Sequence, residues 1–261
     1  MSSIDPDARL EIERRLARIA KEEGIRFLIA IESGSRAWGF PSPDSDYDVR
    51  VIYARPWQDY ISLRPIRDVV ERPIVDDFDI NGWDIRKALG LLLKQNAVIS
   101  EWLNSPIRYV LDDPFAAQLA NLADRSFDAG GFARHYASLA RNAIERWPVG
   151  EEPMPAKRYF YALRPALNIR ALRMTPTHRP PMQLQQLMAV TDLPASLAAE
   201  IDDLVEAKAQ RMEVDGTRRS AAIEQLIVDE LERASGMPVR PGDPALLAEA
   251  DSLLLEIVRD Q

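Results

Sequence analysis

Residues 32–48 read ESGSRAWGFPSPDSDYD. A turn at Gly34 and Ser35 is followed, after a gap of ten residues, by Asp46 and Asp48 with one residue between them. Successive side chains of a strand alternate faces, so Asp46 and Asp48 share one. Like charges on one face repel unless something positive stands between them. Both flanks of the stretch are strand-like. IRFLIAIE, which ends at Glu32, is a nearly continuous apolar run and has the pattern of a buried strand. DYDVRVIYA sets Tyr47, Val49, Val51 and Tyr53 against Asp46, Asp48, Arg50 and Ile52, a strand with one polar face.

Further out, PDARLEIERRLARIAKEEG runs from Asp5-Pro6 to Gly24 with Leu10, Ile12, Leu16 and Ile19 apolar, and predicts a helix with good end signals. A short helix is expected from Pro56. DVVERPIVDDFDINGW predicts a hairpin-like pair whose second strand carries Asp77, Asp79 and Asn81 on one face, and Asp84 is placed to cap the helix IRKALGLLLKQN. After about residue 112 strand signals vanish, and helical patterns follow at 112–125, 130–147, 156–174 and onward to 259, with proline-rich breaks between them. The expected fold class is therefore α+β, with an N-terminal sheet-and-helix unit over 1–111 and an all-helical unit over 112–261.

Composition narrows the function classes. The 261 residues contain no cysteine, which excludes disulfides, thiolate metal sites and a cysteine nucleophile and agrees with a reducing cytoplasm. The opening MSSIDPDARLEIERRL is too polar and acidic for a secretory signal, and no apolar run suits a bilayer span. No membrane partner is expected. The net charge of −8 argues against a general polyanion coat, but residues 131–180 hold nine Lys and Arg against three acids.

Asp46 and Asp48, joined by Asp79 from a neighbouring strand, form a cluster that is costly without cations. Hard divalent ions answer that need, because Mg²⁺ takes oxygen ligands and shares its shell with waters and substrate phosphates. Two such ions, Mg²⁺ or in its place Mn²⁺, let one carboxylate bridge both while a hydroxyl is activated for attack. Gly34 permits close backbone approach to a ligand, and Ser35 adds a hydroxyl donor. A helix starting there would offer free N–H groups to a triphosphate. The constellation predicts transfer of a nucleotidyl group from an NTP to a hydroxyl.

GSRAWGFPSPDSDYD resembles the signature of the DNA polymerase β-type nucleotidyltransferases, Gly-Ser followed at this distance by Asp-x-Asp. INGWDIRKALGLLLKQNAVISEWLNSPIRY and KRYFYALRPAL are similar to the nucleotidyltransferase family associated with bacterial RNA-repair pathways, over about residues 25 to 175. That resemblance implies a mixed sheet with flanking helices. It implies Gly34 and Ser35 on the triphosphate, Asp46 and Asp48 on both metals, and Asp79 as third carboxylate and base. Asp77 shares its strand face with Asp79 and stays open as an alternative, with Asp76 adjacent; helix capping accounts for Asp84 without metal. The family context makes an RNA 3′ end the leading acceptor. A small-molecule or protein hydroxyl is the alternative acceptor, and a non-catalytic nucleotide-binding or toxin-neutralising module the alternative function. Against the latter, an idle acid set is an unsupported cluster of charge.

Other residues are weighed against ordinary structural roles. Arg36 is a candidate for the triphosphate, or a partner for Glu32 or Asp44. Trp38 and Phe40 are expected to pack the loop, and Lys87 and Lys94 to be solvated. Lys157, Tyr161 and Arg164, at i, i+4 and i+7, are expected to present a basic-aromatic face to the nucleotide. Arg134 and His135 are candidates for the same cleft, His135 more as a structural residue. Arg173 and His178 match an Arg-x4-His ribonuclease spacing, but Pro176 spoils the helix that motif needs, so the match is read as chance.

Overall fold

Leu28, Ile29, Ile31, Ile52 and Ala54 face one way from the central strands, and Val49, Val51, Tyr53 and Ile80 the other. A sheet apolar on both faces has to be covered twice, and the chain does so. The computed structural model describes residues 4–64, 66–110, 114–147, 154–210, 216–217 and 219–260. In chain order come α1 (Pro6–Glu23), β1 (Arg26–Glu32), α2 (Gly34–Trp38), β2 (Tyr47–Ala54), α3 (Trp57–Tyr60), β3 (Val69–Glu71), β4 (Phe78–Asp84), α4 (Ile85–Leu93), α5 (Ala97–Leu103) and β5 (Arg108–Val110). Then follow α6 (Pro114–Ser126), α7 (Ala129–Ile144), β6 (Met154–Pro155), α8 (Ala156–Met174), α9 (Leu184–Val190), α10 (Ala195–Ala209), β7 (Gly216–Thr217), α11 (Ala221–Ala234) and α12 (Pro244–Arg259).

The main sheet has strand order β3-β4-β2-β1-β5. It is mixed: β2 and β4 run parallel, and the other pairs are antiparallel. Helix α1 starts under an Asp5 cap and Pro6, ends at a left-handed Gly24, and lays Ile12, Leu16 and Ile19 on one face of the sheet. Helices α4 and α5 cover the other face, with Ile85, Leu89, Leu92 and Trp102 buried there. The stretch expected as one helix over 85–96 breaks after Leu93, because Gln95 takes a positive φ and Asn96 caps α5 instead.

Packing adds two features to the C-terminal half that its sequence pattern does not carry. The apolar core does not divide at residue 111. Helix α6 puts Phe115, Leu119 and Leu122 into the same cluster as the sheet, and α12 returns from the far end with Ala250, Leu253 and Ile257. The half is also not wholly helical, since β6 pairs with β7 in a two-residue antiparallel ladder. The remaining helices, α7 to α11, build a second core around Tyr159, Phe160, Leu163 and Leu167. Phe40, from the loop after α2, enters that core and stacks on Phe160 at 4.4 Å between centroids. The loop between the two strand-forming segments is thus clamped from the helical side.

Candidate active site

Because β2 and β4 run parallel and in register, Asp48 stands directly beside Asp79. Both face the side of the sheet opposite α1, since their neighbours Val49, Phe78 and Ile80 pack under that helix. Arg50, two residues on from Asp48, shares its face. One nitrogen of its guanidinium, Nη2, donates to Asp48 Oδ1 at 2.8 Å and to Asp79 Oδ2 at 2.7 Å. Nη1 donates to the main-chain carbonyls of Asp79 at 2.8 Å and Val49 at 3.0 Å. Asn81 adds a bond to the second oxygen of Asp79, at 3.3 Å. Asp77 sits in the tight turn before β4, exposed and at φ 64°, with its carbonyl accepting from Tyr47 N–H; Asp76 pairs with Arg15. Of the three acids near that strand, Asp79 is the one brought against Asp48.

Gly34 closes over the pair. Its φ is 57°, and a Cβ built there would stand 1.8 Å from Asp48 Oδ2. Only glycine allows both the backbone angle and the approach. Ser35, the second residue of α2, bonds through its hydroxyl to Ser45 Oγ at 3.0 Å. Arg36, expected on phosphate or an acid, instead donates to the carbonyls of Ser45 at 2.6 Å and Asp46 at 3.1 Å and lies 4.1 Å over the Tyr47 ring. It fixes the main chain that carries Asp46. Burial raises the Asp48 pKa above its ordinary value; Arg50 and Lys157 oppose this, and Asp79 and Asp46 add to it.

Beneath Asp48 lies a carboxylate with no solvent exposure. Glu32 accepts from the Asp48 main-chain N–H at 2.9 Å and from the Tyr109 hydroxyl at 2.6 Å. Burial pushes its pKa up to about 7 despite those two bonds. Its place at the end of β1 fixes where β2 begins.

The helical half contributes unevenly. Lys157 lies near enough to act on the Asp48 charge, and half-exposed Tyr161 sets its ring edge-on to Trp38 at 5.4 Å. Arg164 does not join them. It is buried, pairs with Glu101 at 3.0 Å, donates to the Met182 carbonyl and lies 4.6 Å over Trp38, so its nucleotide-binding assignment is corrected to a structural one. His135 is structural too: its Nδ1 accepts from Ala97 N–H at the start of α5, and burial lowers its pKa. Lys87 pairs with Asp68 and Arg173 with Glu230, while His178 is exposed beyond the end of α8. Trp38 and Phe40 pack the loop as expected.

Whether divalent ions suit these residues is decided by the acids themselves. Among the described residues no three His, Cys, Asp or Glu side chains gather closely enough to hold a metal. Asp48 and Asp79 nonetheless share one cationic partner, Arg50 Nη2, and burial disfavours the Asp48 charge without one. An oxygen donor pair that already holds a cation fits a hard divalent ion. Asp46 is adjacent and adds its charge to the same field.

The match of its sequence to a family pattern over residues 8–256 puts the chain in the class of polymerase β-like nucleotidyltransferases, enzymes of nucleotidyl transfer. Within that class it belongs to the RNA repair pathway DNA polymerase beta family. A relative from Bacillus subtilis (strain 168), the uncharacterized protein YcgL, is 38% identical over 247 residues, covering 94% of each chain. A solved nucleotidyltransferase-like protein from Exiguobacterium sibiricum 255-15 aligns over 96% of this chain and 80% of its own, at 13% identity and a TM-score of 0.30, too low to bear on either fold or function. No helix of the described residues is long and apolar enough to cross a membrane.

Two residues of the site escaped the sequence reading. Arg50 shares the acidic face in the sequence pattern, and its spacing from Asp48 is itself the signal of a part in the site. Glu32 is the one acid closing an apolar strand, a break in polarity that marks a buried group with a specific partner.

Proposed function

We propose that the chain is a Mg²⁺-dependent nucleotidyltransferase that moves NMP from an NTP to the 3′ hydroxyl of an RNA. The observation that carries this is the register of β2 and β4, which sets Asp48 against Asp79 under the Gly34 turn. Asp48 and Asp79, with Asp46 beside them, would hold the ions. Bound there, divalent ions supply charge stabilisation at the α-phosphate and a lowered pKa for the attacking hydroxyl. Asp79 would accept the proton of that hydroxyl. Gly34 lets the main chain approach the triphosphate, and Lys157, acting on the same field from α8, offsets its charge. Half-exposed Tyr161, edge-on to Trp38, would border the base. Arg36 holds the loop that presents Asp46. Absence of cysteine and of a membrane-crossing helix among the described residues supports a cytoplasmic setting.

The test is label transfer from each α-labelled NTP in Mg²⁺, with and without RNA ending in a 3′ hydroxyl. Transfer to the RNA is expected, falling about 100-fold or more in Asp48→Asn. Transfer unchanged by that substitution would remove the metal-site assignment.

One observation favours a second reading, a nucleotide-binding module without catalysis. Arg50 bridges Asp48 and Asp79 and offsets one of their two charges, so the acid set is not the wholly unsupported charge that argued against an idle site. No transfer with any NTP and any acceptor would favour it.

A further inference from the structure

The geometry points to Arg50 as the resident counter-ion of the acid site, a positioning residue that competes with divalent metal for Asp48 and Asp79. This rests on the reading of those two acids as metal ligands. Every oxygen of the pair has a neighbour. Nη2 takes Asp48 Oδ1 and Asp79 Oδ2, Asn81 takes Asp79 Oδ1, and Asp48 Oδ2 packs on the Gly34 backbone. The Arg50 side chain is only 15% exposed, which strengthens its hold on both acids. For Asp48 and Asp79 to accept a divalent ion together, Nη2 has to leave at least one of them. Nη1 need not move, because its bonds run to the carbonyls of Val49 and Asp79. Arg50 therefore remains tethered within the site after giving up the carboxylates. Two consequences follow from charge alone. With Arg50 present the acids are held together without metal, and metal binds weakly. Without it the acids repel, and metal binds tightly.

The arrangement differs from an ordinary surface ion pair, which contributes little and competes with nothing. Here one cation bridges two acids on adjacent strands, and the bridging point is the place where a shared metal would bond.

The experiment titrates Mn²⁺ alone, without nucleotide or RNA, into the full chain and follows free Mn²⁺ by its paramagnetic resonance signal. Arg50→Gln is expected to bind Mn²⁺ about tenfold or more tighter than wild type, since a positive charge beside the ligands is removed. Arg50→Lys, which keeps the charge, should bind weakly like wild type. Thermal melting should agree: in EDTA Arg50→Gln melts below wild type, and Mn²⁺ raises its midpoint by more. Asp48→Asn in the Gln background should abolish the gain. Equal Mn²⁺ affinity in wild type and Arg50→Gln, with circular dichroism showing both folded, would overturn the inference; so would tight binding by Arg50→Lys. Because no nucleotide is present, either result stands whether or not the protein transfers label.

Discussion

A methyl group at position 34 would meet Asp48 Oδ2 at 1.8 Å, on a backbone already at φ 57°. The two penalties act on different things. The backbone angle costs an alanine about 1 kcal/mol. The collision is relieved only if Asp48 turns away from Gly34, which moves it relative to Asp79 and Arg50. Gly34→Ala is therefore expected to lower stability by about 1–3 kcal/mol in urea unfolding while removing most label transfer. Preserved transfer would mean that the carboxylate position tolerates the shift. At this scale the sequence announced Gly34, Asp46 and Asp48, because their spacing is rigidly tied to a turn and a strand. It did not announce why glycine is needed. That reason is a contact between the turn and a side chain fourteen residues later, which spacing alone does not contain. Arg50 and Glu32 were missed for a related cause: each matters through groups brought to it by neighbouring strands, Asp79 and Tyr109.

Helix α8 separates what periodicity can say from what it cannot. Lys157, Tyr161 and Arg164 lie on one helical face, as their spacing predicts, but the helix advances about 1.5 Å per residue, so Arg164 stands two turns deeper than Lys157. The first turn reaches the field of Asp48; the third lies in the core with Glu101, whose carboxylate also takes the Tyr136 hydroxyl at 2.8 Å. Breaking a buried pair leaves an uncompensated charge and costs about 3–5 kcal/mol. Arg164→Met should thus lower the unfolding free energy by that amount and leave the NTP KM of the folded fraction unchanged. Lys157→Met should do the reverse, raising the NTP KM with little effect on stability. A raised KM in Arg164→Met at a temperature where it is fully folded would return Arg164 to the nucleotide site. The element boundaries themselves were readable, α8 over 156–174 among them, because apolar periodicity and the flanking prolines fix both ends. The break between α4 and α5 was not, since a positive φ at Gln95 carries no sequence mark as strong as glycine.

Over the whole molecule, charge is sorted by pairing as much as by count. Several arginines of the basic segment are neutralised in place: Arg164 by Glu101, Arg170 and Arg173 by Glu230, Arg179 by Asp124. Arg134 and Arg141 are exposed on the solvent face of α7, and Arg146 follows just past its end, none with an ion pair to a described residue. Arg158 donates to the Arg146 carbonyl and Trp147 to the Arg158 carbonyl, which ties that end of α7 to the start of α8, where Lys157 lies. A regional charge balance is legible in the residues alone; only packing reveals which cations are spent, and that α12 closes back onto the sheet. Arg134, Arg141 and Arg146 are exposed cations of the basic segment that a protein of net charge −8 would offer to an RNA backbone. Neutralising a phosphate on single-stranded RNA contributes about −0.7 to the slope of log K against log salt. Replacing Arg134, Arg141 and Arg146 together by alanine should reduce that slope by about 2 in fluorescence-anisotropy titrations of a labelled RNA, performed on Asp48→Asn protein so that no transfer intervenes. An unchanged slope would place the acceptor elsewhere on the molecule, since the phosphates would then be neutralised by other cations.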